Sequence, residues 1–189
     1  MTLDAVRGHL RGHFGVQPDS ASVTFLGIEP IEVLRFATGT SVHYVSLGCS
    51  RDPMTDPTQT LADPMRGPRA EVVLRLRDPG SVTGLARSLA IVAATPAVEG
   101  TVLVADALID LGSPLWAGTS FTAVLLGRSD IPDLTLQPPR DPVRFLSATP
   151  ITATEAAWVR LKGADAMREA WAQDGVDVLD PSRPAAQPS

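Results

Sequence analysis

Residues 143–167 read VRFLSATPITATEAAWVRLKGADAM, and three kinds of local order follow one another within them. Val143, Phe145, Leu146 and Ala148 make a short apolar run that ends at Pro150, the pattern of a strand entering a turn. Thr152 and Glu155 then stand three apart, ahead of an apolar stretch. In that capping-box spacing the threonine hydroxyl and the glutamate carboxylate each satisfy an orphan N–H at a helix start. A strand, a proline turn and a capped helix are therefore predicted in close succession. This signal is structural and by itself names no chemistry.

Working outward, Gly163 breaks the helical period, and Met167, Ala170 and Trp171 begin a second short helix. The last ten residues, DPSRPAAQPS, have the composition of a disordered tail, which leaves residues 1–179 as one domain. Upstream, residues 121–126 (FTAVLL) are apolar on both faces, as in a central strand. Residues 102–111 are read as a strand bounded by Gly112 and Pro114. Val82, Leu85, Leu89 and Val92 share one helical face, with Ser81 as the expected N-cap and a stop before Pro96. In residues 71–77 alternation places Val72, Leu74 and Leu76 inward and Glu71, Arg75 and Arg77 outward. Three short runs at 23–28, 31–37 and 42–47 read as a β-meander, and Leu3, Val6, Leu10 and Phe14 as one face of an amino-terminal helix. Between them and residue 71, residues 49–68 carry four prolines, a glycine and no period. A loop of that length is the first place to look for a partner.

The chain has 189 residues, 44% of them hydrophobic and 20% charged, with net charge −5, which is enough for one domain with its own core. An acidic balance argues against the broad basic surface that nucleic acid requires. No apolar run is long enough to span a bilayer and the amino terminus lacks the apolar core of a secretory signal, so a cytoplasmic protein is expected. The single cysteine, Cys49, agrees with a reducing compartment.

Candidate chemistry is sparse. Ser50 ends a strand, but the place two residues on that a nucleophile elbow gives to glycine is held by Asp52, so a turn residue bonded to nearby backbone is expected. His9 and His13 stand four apart on the first helix without an intervening glutamate, and no metal or other cofactor is expected. Asp106 and Asp110 share a face in either reading of their segment, yet nothing nearby supplies a nucleophile or a metal ligand. Leu115 and Trp116 lie in an aperiodic stretch between Pro114 and Gly118. An exposed loop tryptophan would anchor a partner, whereas Trp158 and Trp171 belong to helices and are expected in the core.

Taken in order, these segments resemble the Suppressor of fused (SUFU) domain family, in its bacterial single-domain form. The residues carrying the resemblance are Leu85, Ser88 and Leu89, the apolar run led by Gly100, Pro114 and Leu115, and residues 121–126. Phe145, the block Pro150, Ile151, Thr152 and Glu155, and Gly163 complete it. The strand ending in Gly48, Cys49 and Ser50, followed by the strand at 71–76, extends it upstream. The resemblance implies one α/β (α+β) domain, a mixed and largely antiparallel sheet with helices packed on it. It also implies protein binding: eukaryotic members hold transcription factors, and bacterial ones act in part as immunity proteins that occlude toxins.

The expectation is a non-enzymatic protein-binding domain whose partner surface includes Asp52, Asp56, Leu115 and Trp116. An enzyme using Asp106, Asp110 or Ser50, and a homodimeric structural or regulatory protein, are the alternatives.

Overall fold

A computed structural model describes residues 1–56 and 58–187. Seven strands, β1 (Asp19–Val23), β2 (Ile31–Thr38), β3 (Ser41–Leu47), β4 (Arg69–Arg77), β5 (Leu108–Asp110), β6 (Phe121–Arg128) and β7 (Val143–Thr152), form one sheet in the order β1-β2-β3-β4-β7-β6-β5. Every ladder is antiparallel except the central one between β4 and β7. Four helices, α1 (Thr2–Phe14), α2 (Leu85–Glu99), α3 (Ala153–Lys162) and α4 (Ala164–Gln173), cover it. The fold is the expected single α/β domain with a mixed, mostly antiparallel sheet.

Alternation along the strands gives the sheet two apolar faces. On one, Val72, Leu74 and Leu76 of β4, with Val124 and Leu126 of β6, pack under Leu85, Leu89 and Val92 of α2. Each of those aliphatic side chains contributes roughly 1.5–3 kcal/mol by leaving water. On the other, Val6 and Leu10 of α1 seat on Leu34, Phe36, Val45 and Val73. Ala123, Leu125 and Ile151 on that second face take Val159, Met167 and Trp171 from α3 and α4.

The predicted capping box is formed. Thr152 Oγ1 accepts from the Glu155 N–H at 3.2 Å, and Glu155 Oε1 accepts from the Thr152 N–H at 2.9 Å. Glu155 is fully buried, and its carboxylate also receives Trp171 Nε1 and Arg183. The expected disordered tail is thereby corrected: residues 180–187 return along the end of β7, with Arg183 and Ala186 both at 4% exposure. Proline-rich composition argues for disorder, but one arginine inserted against a buried carboxylate outweighs it. Pro188 and Ser189 lie outside the described residues.

Other differences are local. β1 lies at 19–23 and not 23–28, because the polar DSASV segment is held by its ladder to β2 while Leu26 is left fully exposed. Of residues 102–111 only β5 is strand. α2 starts at Leu85 after Gly84, and Ser81 does not cap it. The helix also continues through Pro96 to Glu99. Pro96 has no N–H to offer the Val92 carbonyl, and the Thr95 hydroxyl donates to that oxygen at 2.8 Å in its place. Among the described residues no helix is long and apolar enough to cross a membrane.

Candidate functional site

Glu71 overturns the simple inside–outside reading of β4. It shares a sheet face with Val73 but is fully buried, covered by the turn that follows β3. Its Oε1 accepts from the Gly48 N–H (2.8 Å), the Ser50 N–H (2.9 Å) and the Ser50 hydroxyl (2.7 Å), and its Oε2 from the Ser46 hydroxyl (2.5 Å). The turn is a single 3-10 turn, Cys49–Arg51. At its other end Arg69, also buried, donates to the Ser50 and Arg51 carbonyls, both at 2.9 Å. A carboxylate thus takes the leading N–H groups of the turn and a guanidinium its trailing carbonyls, the arrangement that suits the dipole of those peptides. Gly48 is required here: a Cβ would meet Ile31 Cγ1 at 3.0 Å and its Cα at 3.3 Å.

Burial pushes the Glu71 pKa up, against the opposing effect of the Gly48, Ser46 and Ser50 donors. Burial, and then the charge of Glu71, push the Cys49 thiol well above its ordinary range. Ser50 is fully buried with its proton directed at Glu71. Neither Ser50 nor Cys49 is therefore an activated nucleophile.

The clamped turn stands at the end of the sheet where β2, β4 and β7 begin and β3 and β6 end, and three concavities ring it. The first, about 510 Å³, lies between the turn and the carboxy-terminal half of α2, floored by Ile31, Cys49, Met54 and Ala93. The second, about 840 Å³, lies between the turn and the start of α1. A third, about 400 Å³, opens over the end of β6 and the start of β7. Glu29, Arg51 and Asp52 line both the first and the second, Met54 the first and third, and Arg69 the second and third. These clefts form one continuous surface around a rigid centre.

The expected site residues fall on different sides of this geometry. Asp52 is exposed on the ridge between the first two clefts, and Asp56 is exposed four residues on. Asp56 accepts the Thr58 hydroxyl at 2.7 Å and N–H at 2.8 Å, bonds that lower its pKa. Leu115 and Trp116 are not exposed anchors: they are 1% and 6% exposed in the core under α2, where the Trp116 ring centroid lies 5.6 Å from that of Phe121. The 49–68 segment is likewise not all loop, since Ser50, Pro53 and Met54 are buried while most of its remainder is exposed. Pro57 lies outside the described residues.

The side chains of the catalytic alternative are engaged in structure. Asp110 pairs with Arg160 at 2.7 Å and Asp106 with Arg168 at 2.5 Å, both beside the far edge of the sheet from the turn. His9 Nε2 meets the Pro132 carbonyl at 2.7 Å and its ring stacks on Phe145, 5.5 Å between centroids. A carbonyl oxygen only accepts, so Nε2 carries the proton and that nitrogen has no lone pair for a metal. Among the described residues no group of three or more His, Cys, Asp or Glu is placed to hold a metal ion. Sequence alternation does not single out Glu71 and Arg69 as the organisers of the site; the available signal is an acid and a base flanking one residue in a strand that follows a Gly-Cys-Ser turn.

The family model described as Suppressor of fused protein (SUFU) matches residues 27–184. No curated protein sequence matches the chain. Among solved structures, a SUFU homologue of Neisseria gonorrhoeae FA 1090 superposes with TM-score 0.70 at 18% identity, covering 97% of this chain and 96% of that one. A structure described as the Sufu-Fu complex gives TM-score 0.66 at 16% identity, over 99% of this chain and 90% of that one. Drosophila Suppressor of Fused gives TM-score 0.66 at 16% identity over 97% of this chain, which spans about half (51%) of that longer one.

Proposed function

Since this chain belongs to the Suppressor of fused protein (SUFU) family, whose relatives include Sufu in complex with Fu, we propose that it is a protein-binding domain and not a catalyst. In this reading its partner surface is the end of the sheet around residues 48–56. The observation that carries it is the clamp: Glu71 and Arg69 fix the backbone of the turn so that Asp52 projects between two clefts at little ordering cost on binding. Asp52 and Asp56 set the charge of the surface and steer a basic partner face toward it. The finer reading is an immunity-type protein that lies over the active site of a toxin, in a cytoplasmic setting.

The test is capture from the native cytoplasm with the parent chain and with Asp52→Lys/Asp56→Lys. A stoichiometric protein partner held by the parent and lost by the variant, with equal melting temperatures, is the expected result. Recovery of the same partner by both, or substrate turnover abolished by a single Ser50, Asp106 or Asp110 substitution, would overturn the proposal.

A further inference from the structure

The third cleft differs from the other two in its charge. It opens at the start of the parallel β4–β7 ladder, where the two apolar faces of the sheet meet. Leu103 and Leu146 reach its floor from the α2 side, and Ile131 and Phe145 from the α1 side. Val104 stands on its rim with 52% of its surface exposed, one of the few large apolar side chains of the described residues left in water. Arg128, at the end of β6, and Arg144, at the start of β7, flank this floor and are both exposed. Seven other arginines hold carboxylates in ion pairs, but among the described residues neither Arg128 nor Arg144 has an ion pair or a side-chain hydrogen bond. Among the described residues Asp133 is the one carboxylate lining the cleft. In a chain of net charge −5, this places two uncommitted guanidiniums over an apolar floor.

We propose that this cleft binds a short acidic segment of a partner protein. An apolar side chain of the segment lies on Val104, Ile131 and Phe145, and flanking carboxylates pair with Arg128 and Arg144. Guanidinium forks suit carboxylates through paired N–H donors, and the apolar floor gives the segment an anchor that charge alone does not provide. The inference rests on the protein-binding reading and adds a second contact to it, opposite in sign to the ridge at Asp52. A partner that engages both would present a basic face to the ridge and an acidic stretch to this cleft.

The probe is a short acetylated peptide of alternating glutamate and leucine, with the lysine-for-glutamate peptide as control. Binding is measured by fluorescence anisotropy at low and high salt and mapped by amide chemical shifts of the full chain. The expected result is saturable binding of the acidic peptide that weakens with salt. It should be about tenfold weaker for Arg128→Glu/Arg144→Glu at unchanged melting temperature. Val104→Asp should weaken it too, and perturbed amides should cluster at 102–105, 128–133 and 144–146. Equal affinity for the charge-reversed variant, perturbations centred on 48–56, no binding at millimolar peptide, or preference for a short single-stranded DNA would overturn it. The Asp52→Lys/Asp56→Lys variant should bind this peptide as the parent does, so failure here is separable from failure of the ridge.

Discussion

Arg183 meets Glu155 with two parallel bonds, Nη1 to Oε2 at 2.9 Å and Nη2 to Oε1 at 3.0 Å, and both side chains are almost wholly out of solvent. The guanidinium also reaches the Pro150 carbonyl at 2.9 Å and lies 4.9 Å from the centroid of the Phe121 ring. Burial tends to raise the Glu155 pKa, but Arg183, the Thr152 N–H and Trp171 bring it below its ordinary value. The pair closes the domain by tying its carboxy-terminal segment to the first turn of α3.

Breaking that pair from either side strands the other member. Glu155→Gln, or Arg183→Ala, should cost about 3 kcal/mol, the scale for leaving a buried charge uncompensated. Denaturant midpoints measure this. A midpoint shared with the parent would mean that residues 180–187 contribute nothing to the fold.

The other half of the same box is weaker. Thr152→Ala removes the hydroxyl that accepts the Glu155 N–H and should lower stability by about 1 kcal/mol. Thr152→Ser should restore most of it, since the accepting oxygen returns.

Trp116→Ala tests the burial of that side chain. An exposed anchor would leave the melting curve alone, whereas a side chain packed against Phe121 under α2 leaves a cavity and should cost about 3 kcal/mol or more. An unchanged melting temperature would return Trp116 to the surface.

Glu71 and His43 carry opposite pH signatures. His43 is held at a pKa of about 4 by burial and then by the Arg75 charge. Its contribution is fully present above the unfolded value of 6.5 and is lost as pH falls from there toward 4. The Glu71 pKa is raised, so its proton stabilises the fold below the ordinary value of 4.5. That contribution is lost as pH rises through the raised one. Stability measured against pH should therefore rise more steeply in Glu71→Gln above pH 4.5, and flatten between pH 4 and 6.5 in His43→Gln. Parallel curves for parent and variants would remove both assignments.

What sequence made legible was what alternation encodes. β4 follows from period-two apolar spacing, β3, β6 and β7 from short apolar runs, and the box at Thr152 from a capping pattern, and the same segments carry the family resemblance. Periodicity reports which side a residue takes, not what covers that side. Alternation therefore puts Glu71 on the solvent side, although the turn after β3 lies on it. Trp116, in a stretch with no period, gave no sign of its direction. Pro96 reads as a helix stop because a proline leaves a carbonyl one turn back without its donor, and Thr95 satisfies that carbonyl. Of the candidate surface, Asp52 was legible as a loop acid; its place on a ridge between clefts came only from the tertiary arrangement.

The lone parallel ladder divides the sheet into two antiparallel blocks, β1 to β4 and β5 to β7, each made largely of near neighbours in sequence. Arg69 faces Val143 across that boundary, with α2, β5 and β6 all lying between them along the chain. Pairings within each block close shorter loops, whereas the seam closes a long one at a higher entropic cost. The third cleft lies at the mouth of the same seam, with Ala70 on one wall and Arg128 and Phe145 on the other, so that part of the binding surface is complete only once both blocks are in place.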